Sequence, residues 1–116
     1  MSLSFDAVIA ALTRVAGVRG ALVVDAQEGL VVAEASMEGV DPAAVAALSA
    51  SLAGRLSRAM GAAGFAEPQV LLLEAEHGAM MAAPASDELL LVAVCDAEAN
   101  LGLLRLALKD ARGRLL

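Results

Sequence analysis

A chain of 116 residues fits one domain with one core and leaves no room for a separate catalytic domain. Hydrophobic residues make up 59% of it, yet it has no tryptophan, no tyrosine and two phenylalanines, Phe5 and Phe65, so the aromatics that stack on bases or sugars are missing. A net charge of −6 argues against nucleic acid or an anionic membrane surface as partner.

The longest apolar runs, such as Leu89 to Cys95, are strand-length and far short of the ~20 residues of a spanning helix, so no membrane insertion is expected. Met1 to Asp6 lacks the basic-then-apolar pattern of a signal peptide, which points to the cytoplasm. The single cysteine, Cys95, excludes an internal disulfide and reads as a small core residue rather than a nucleophile. A small chain this apolar has surplus surface that oligomerisation would hide.

In chain order, Ser4 is the expected N-cap of a first helix carrying Phe5, Val8, Ile9, Leu12 and Val15, stopped by Gly17. Gly20 to Asp25 and Leu30 to Glu34 read as two strands joined by a tight turn that Gly29 closes. Asp41 then caps a second helix with Pro42 at its first position, and Gly61 and Gly64 end it before Pro68. Three further strands follow, Gln69 to Ala75, Ala79 to Ala83 and Leu89 to Cys95, with turns at Glu76 to Gly78 and Ser86 to Glu88. Asp96 is the expected cap of a last helix from Ala97 to Arg112, whose inner face is Leu101, Leu104, Leu108 and Ala111, widened by Leu103 and Ala107.

The order is therefore α-β-β-α-β-β-β-α. The strands at Ala21 to Val24 and Leu89 to Val94 are apolar at nearly every position, so they should be central and covered on both faces. The fold class expected is α+β in three layers, a mainly antiparallel five-stranded sheet with the first and third helices on one face and the second on the other. Arg14, Arg55, Arg58, Lys109 and Arg112 fall late in their helices, where the helix dipole accounts for them structurally.

The second helix is the most informative element. Val45, Leu48, Leu52, Leu56 and Met60 form an apolar stripe expected to face the core. Projected at about 100° per residue, Ala43, Ala47, Ala50, Ser51, Gly54 and Ser57 fall on the opposite side, with Arg58 the one charge among them. A solvated helix back is normally charged, and small side chains let another backbone come close, so this side is expected to be a protein-docking face. An alanine-rich composition would also place good helix formers there, but Gly54 inside a helix costs roughly 1 kcal/mol relative to alanine and needs a reason.

Chemistry-bearing patterns are absent from the sequence. His77 is the one histidine and sits in a turn between Glu76 and Gly78, too weak a pattern for a metal. No Ser-His-Asp set and no phosphate loop is present, so no catalytic residue, metal or cofactor is expected. Glu74 and Glu76 read as edge-strand charge that limits unwanted pairing.

Gly17 to Asp25, the turn into Glu28 to Ala33, the alanine-rich second helix and Asn100 to Arg105 together resemble the Roadblock family, the dynein light-chain and bacterial GTPase-regulator group, over essentially the whole chain. The resemblance implies a homodimer joined edge to edge through the third strands, at Val70, Leu71, Leu72 and Leu73, with higher assembly permitted. It also implies paired second helices forming a platform for a Ras-like small GTPase, and no catalytic residues of the domain's own. Ending at Leu116, the chain would lack any activity that relatives place in C-terminal tails. Two other classes mix such a sheet with helices: a PAS- or GAF-type sensor of small molecules, which needs convergent polar groups that these strands scarcely supply, and a hotdog thioesterase, which needs a carboxylate such as Asp41 near the helix.

Overall fold

In a computed structural model that describes residues 4–115, the Ser4 side chain accepts a hydrogen bond from the Ala7 N–H and opens helix α1, Phe5–Thr13. Residues 1–3, part of the stretch read above for a leader, and Leu116 lie outside the described residues. Val8, Ile9 and Leu12 are its buried face. Strands β1, Val18–Asp25, and β2, Val31–Ser36, form an antiparallel hairpin. In its turn the Asp25 carboxylate accepts the N–H groups of Gln27 and Glu28 at 2.9 and 3.1 Å, and Gly29 takes a φ of +69°, where a side chain would be strained. Leu30, expected to open β2, instead stands before it, its carbonyl accepting the Asp25 N–H.

Helix α2, Pro42–Ala62, starts as its sequence predicts, with the Asp41 carboxylate accepting the Ala44 N–H at 3.2 Å. It ends in a Schellman motif: the Phe65 N–H donates to Met60 O, the Gly64 N–H to Gly61 O, and Gly64 has a φ of +88°. Gly64 is thus the stop, while Gly61 lies inside the last turn.

Strands β3, Leu71–Ala75, β4, Gly78–Pro84, and β5, Leu89–Cys95, precede helix α3, Leu101–Leu115. The predicted cap Asp96 does not start α3. Its carboxylate accepts the Glu98 N–H in a turn, and Asn100 caps the helix by accepting the Leu103 N–H at 3.0 Å. The reason is tertiary: the Asp96 N–H donates to Gly17 O, and Ala99 packs so closely on Gly17 that a Cβ there would sit 2.8 Å from its own. Leu103, expected on the inner face, is 56% exposed.

The sheet is antiparallel throughout, in the order β2-β1-β5-β4-β3. Side chains alternate between two cores, as period-two geometry requires. Ala21, Val23, Met81, Leu91 and Ala93 meet α1 and α3, while Leu22, Val24, Ala82, Leu90 and Val92 meet Ala46 of α2. The two strands predicted to be central are so.

The dipole account of the arginines fails for α2. Arg55 and Arg58 stand before its last turn, which holds no basic residue, whereas the last turn of α3 holds Arg112 and Arg114.

Close backbone approach makes glycine necessary at one strand position. A Cβ on Gly78 would lie 2.7 Å from the Cys95 carbonyl oxygen, so Gly78→Ala is expected to lower unfolding free energy by about 1–3 kcal/mol in urea titration. Gly54→Ala should instead stabilise by roughly 0.5–1 kcal/mol, because its added Cβ meets nothing closer than the flexible Arg58 guanidinium.

Cys95 is buried, its thiol directed at Ala79 O, and burial pushes its pKa above the ordinary value. A dithiobisnitrobenzoate assay at neutral pH should label it only on unfolding. Linkage follows the same sign: the thiol's stabilising contribution is complete below the unfolded-state pKa and is lost as pH rises through the folded-state value.

Candidate interaction surface

Helix α2 lies on the sheet with its small residues inward. Ala46 and Ser49 are buried, Val45, Ala50 and Ala53 pack beside them, and the Ser49 hydroxyl donates back to Ala46 O within the helix. The apolar stripe expected to face the core does so only in part: Val45 packs there and Leu52 and Met60 are half-buried, but Leu48 is 51% and Leu56 38% exposed. Both stripes have helical spacing, so periodicity could not choose between them. Close approach decides the matter. Ala46 and Ser49 are 0% and 1% exposed against the sheet, and the β1–β2 turn runs beside them, where a Cβ on Gly29 would be in van der Waals contact with the Ala47 Cα at 3.4 Å and the Ala50 Cβ at 3.5 Å.

The helix therefore shows two flanks. One carries Leu48, Leu52 and Leu56. The other carries the predicted docking residues, of which Ala43, Ala47, Ser51 and Arg58 are exposed and Gly54 and Ser57 half-buried. Ala50 is half-buried, packing partly on the α2-side core.

The small flank is also not flat. Ala50, Ser51, Gly54, Ser57 and Arg58 form one wall of a groove of about 860 Å³, whose other walls are the sheet end at Ala26, Gln27 and Leu90, the turn Pro84 to Asp87, and the linker Ala66 to Gln69. The Ser57 hydroxyl donates to the Glu67 carboxylate at 2.7 Å and ties the helix to that linker. Arg55 and Arg112 line the same groove. Sequence reasoning passed over both, having assigned them to helix ends.

At the far edge, β3 has one neighbour, β4. Leu72 and Leu73 are 43% and 38% exposed there, and Leu71 is buried. Val70, expected within the edge strand, precedes it and packs partly on the α1–α3 core. Leu73 pairs with Met80, which belongs to the α2-side core, so Leu73 and the leucine flank share a face of the sheet.

His77 is fully solvated, 3.9 Å from Glu76, and among the described residues no cluster of His, Cys, Asp or Glu could hold a metal ion. No described helix is long and apolar enough to cross a membrane.

Comparison with known proteins agrees with this geometry. An uncharacterized Methanocaldococcus jannaschii protein, MJ0714, is 33% identical over 110 residues, covering 95% of this chain and 92% of its own. The solved structure of Myxococcus xanthus MglB superposes with a TM-score of 0.83 at 23% identity, covering 97% of this chain and 94% of that one, which speaks for the fold alone. The gliding protein MglB of Thermus thermophilus gives 0.83 at 27% identity, with 95% and 84% covered. The Roadblock/LC7 domain matches residues 4–94, and the chain belongs to that family.

Proposed function

We propose that this Roadblock/LC7 chain is a non-enzymatic adaptor that dimerises with itself through β3 and the leucine flank of α2 and docks a Ras-like small GTPase on the paired helices. The observation that carries the reading is the apolar surface left open on one face: Leu48, Leu56 and Leu73, beside an edge strand whose outward backbone groups have no neighbour in the protomer. A second copy added antiparallel along β3, about an axis normal to the sheet, continues the ladder and brings a second α2 onto the same face. Burying half-exposed leucines contributes roughly 1 kcal/mol each, half the value for a fully buried side chain, and the ladder adds register.

Small residues suit the other role. Ala43, Ala47 and Ser51 let a partner's switch loops approach the helix closely, and Arg58 offers a charge at the rim. Such a platform acts by its differential affinity for the two nucleotide states, and it shifts the GTPase equilibrium by no more than that difference. The family assignment takes the place of the sensor and thioesterase folds, and the Asp41 carboxylate is engaged as a helix cap.

In size-exclusion light scattering, wild type is expected at the mass of two chains, and Leu72→Lys with Leu73→Lys at the mass of one with unchanged circular dichroism. A wild-type monomer would refute the dimer. Ala47→Glu is expected to keep the dimer and weaken capture of GTP-loaded Ras-like GTPase more than tenfold. Equal capture by that variant would remove the platform.

A further inference from the structure

Three of the chain's eight basic side chains, Arg55, Arg58 and Arg112, line a single groove in a protein of net charge −6. The ion pairs among the described residues join His77 to Glu76 and Arg114 to Asp110, which leaves those three guanidinium groups without a carboxylate partner. They come from different elements, two from α2 and one from the last turn of α3, so one helix's solubility pattern does not account for them. Gln27 and Gln69 add side-chain amides to the same walls, and Ser51 adds a hydroxyl.

From this arrangement we propose that the groove between α2 and the turn end of the sheet binds an extended acidic peptide segment of a partner protein. The charge is complementary: carboxylates seated there would meet guanidinium groups able to take them bidentately. Size and shape select a peptide over a compact anion, since about 860 Å³ is many times the volume of a phosphate. Arg55 and Arg58 are exposed, so an occupant keeps one side in water, as a surface-laid strand does. No aromatic side chain lines the groove, which removes the stacking platform a nucleotide base would use. Two carboxylates also line it, Glu67, held by Ser57, and Asp87, and these set the spacing of negative charge that a bound segment must avoid. The proposal does not rest on the GTPase reading, although Arg58 is common to both.

Its test is fluorescence anisotropy with a fluorescein-labelled hexaglutamate peptide and the intact chain in 50 mM NaCl. Saturable binding is expected from the arginine groove, although the net charge of −6 alone would repel the probe. The double variant Arg55→Glu, Arg58→Glu should weaken it more than tenfold, Arg112→Glu several-fold, and Arg55→Gln with Arg58→Gln by a smaller factor that guards against misfolding of the reversed charges. Glu67→Gln with Asp87→Asn should tighten it several-fold, a gain that a merely structural role would not produce. Arg14→Glu with Arg105→Glu, the same charge change away from the groove, should leave it within twofold. No saturable binding by wild type, equal loss in the Arg14 and Arg105 control, or displacement by equimolar inorganic phosphate, which marks a small-anion site, would each overturn the proposal. None of these readings involves a GTPase, so its failure stands apart from failure of the platform.

Discussion

The close seating of α2 on the sheet governs the rest of this structure. Ala46 and Ser49 are the residues that touch bottom, and the β1–β2 turn runs against the helix, where a Cβ on Gly29 would be in van der Waals contact with Ala47 and Ala50. A helix seated this deeply contributes little side-chain volume to the core. The sheet supplies it instead, with Leu22, Val24, Leu90 and Val92 standing up beneath the alanines.

Two surface properties follow from that seating. The larger side chains of α2 are displaced to its flank, where Leu48 and Leu56 stay partly in water on the same face as Leu73 of the edge strand. Surplus apolar surface and an open sheet edge therefore coincide, and a self-complementary contact disposes of both at once. On its other flank the helix's small residues wall a groove lined also by Arg55 and Arg58 of α2 and Arg112 of α3, none of which forms an ion pair among the described residues. A partly exposed apolar side and a charged, polar side thus lie on opposite flanks of one helix.

Much of the scaffold was legible because it depends on local chemistry. The caps Ser4 and Asp41, the Gly29 turn and the span Leu89 to Cys95 each follow from a side chain acting within four residues of itself or from an unbroken apolar run. Asp96 shows where that logic fails. A carboxylate placed correctly for a cap was diverted into a turn, because its backbone is hydrogen-bonded to Gly17, nearly eighty residues away in sequence. The arginines of α2 were misread for a related reason. Their distance from the helix end, and the groove that gathers them with Arg112, exist only once the chain has folded.

What the sequence by itself determined is the order of elements, the antiparallel character of the sheet, the identity of the central strands and the family. The first three rest on periodicity, capping and turn residues, which act over short stretches of chain, and the family rests on the resemblance of Gly17 to Asp25, Glu28 to Ala33, the second helix and Asn100 to Arg105. The tertiary structure alone decided which face of α2 is inside. Leucine and alanine stripes of that helix have the same period, and hydrophobicity favours the leucines, but Ala46 and Ser49 are the residues buried at the short distance between the helix and the sheet. That distance is a property of elements packed together. It excluded the larger side chains on steric grounds and moved them to the surface, where they are available to a partner.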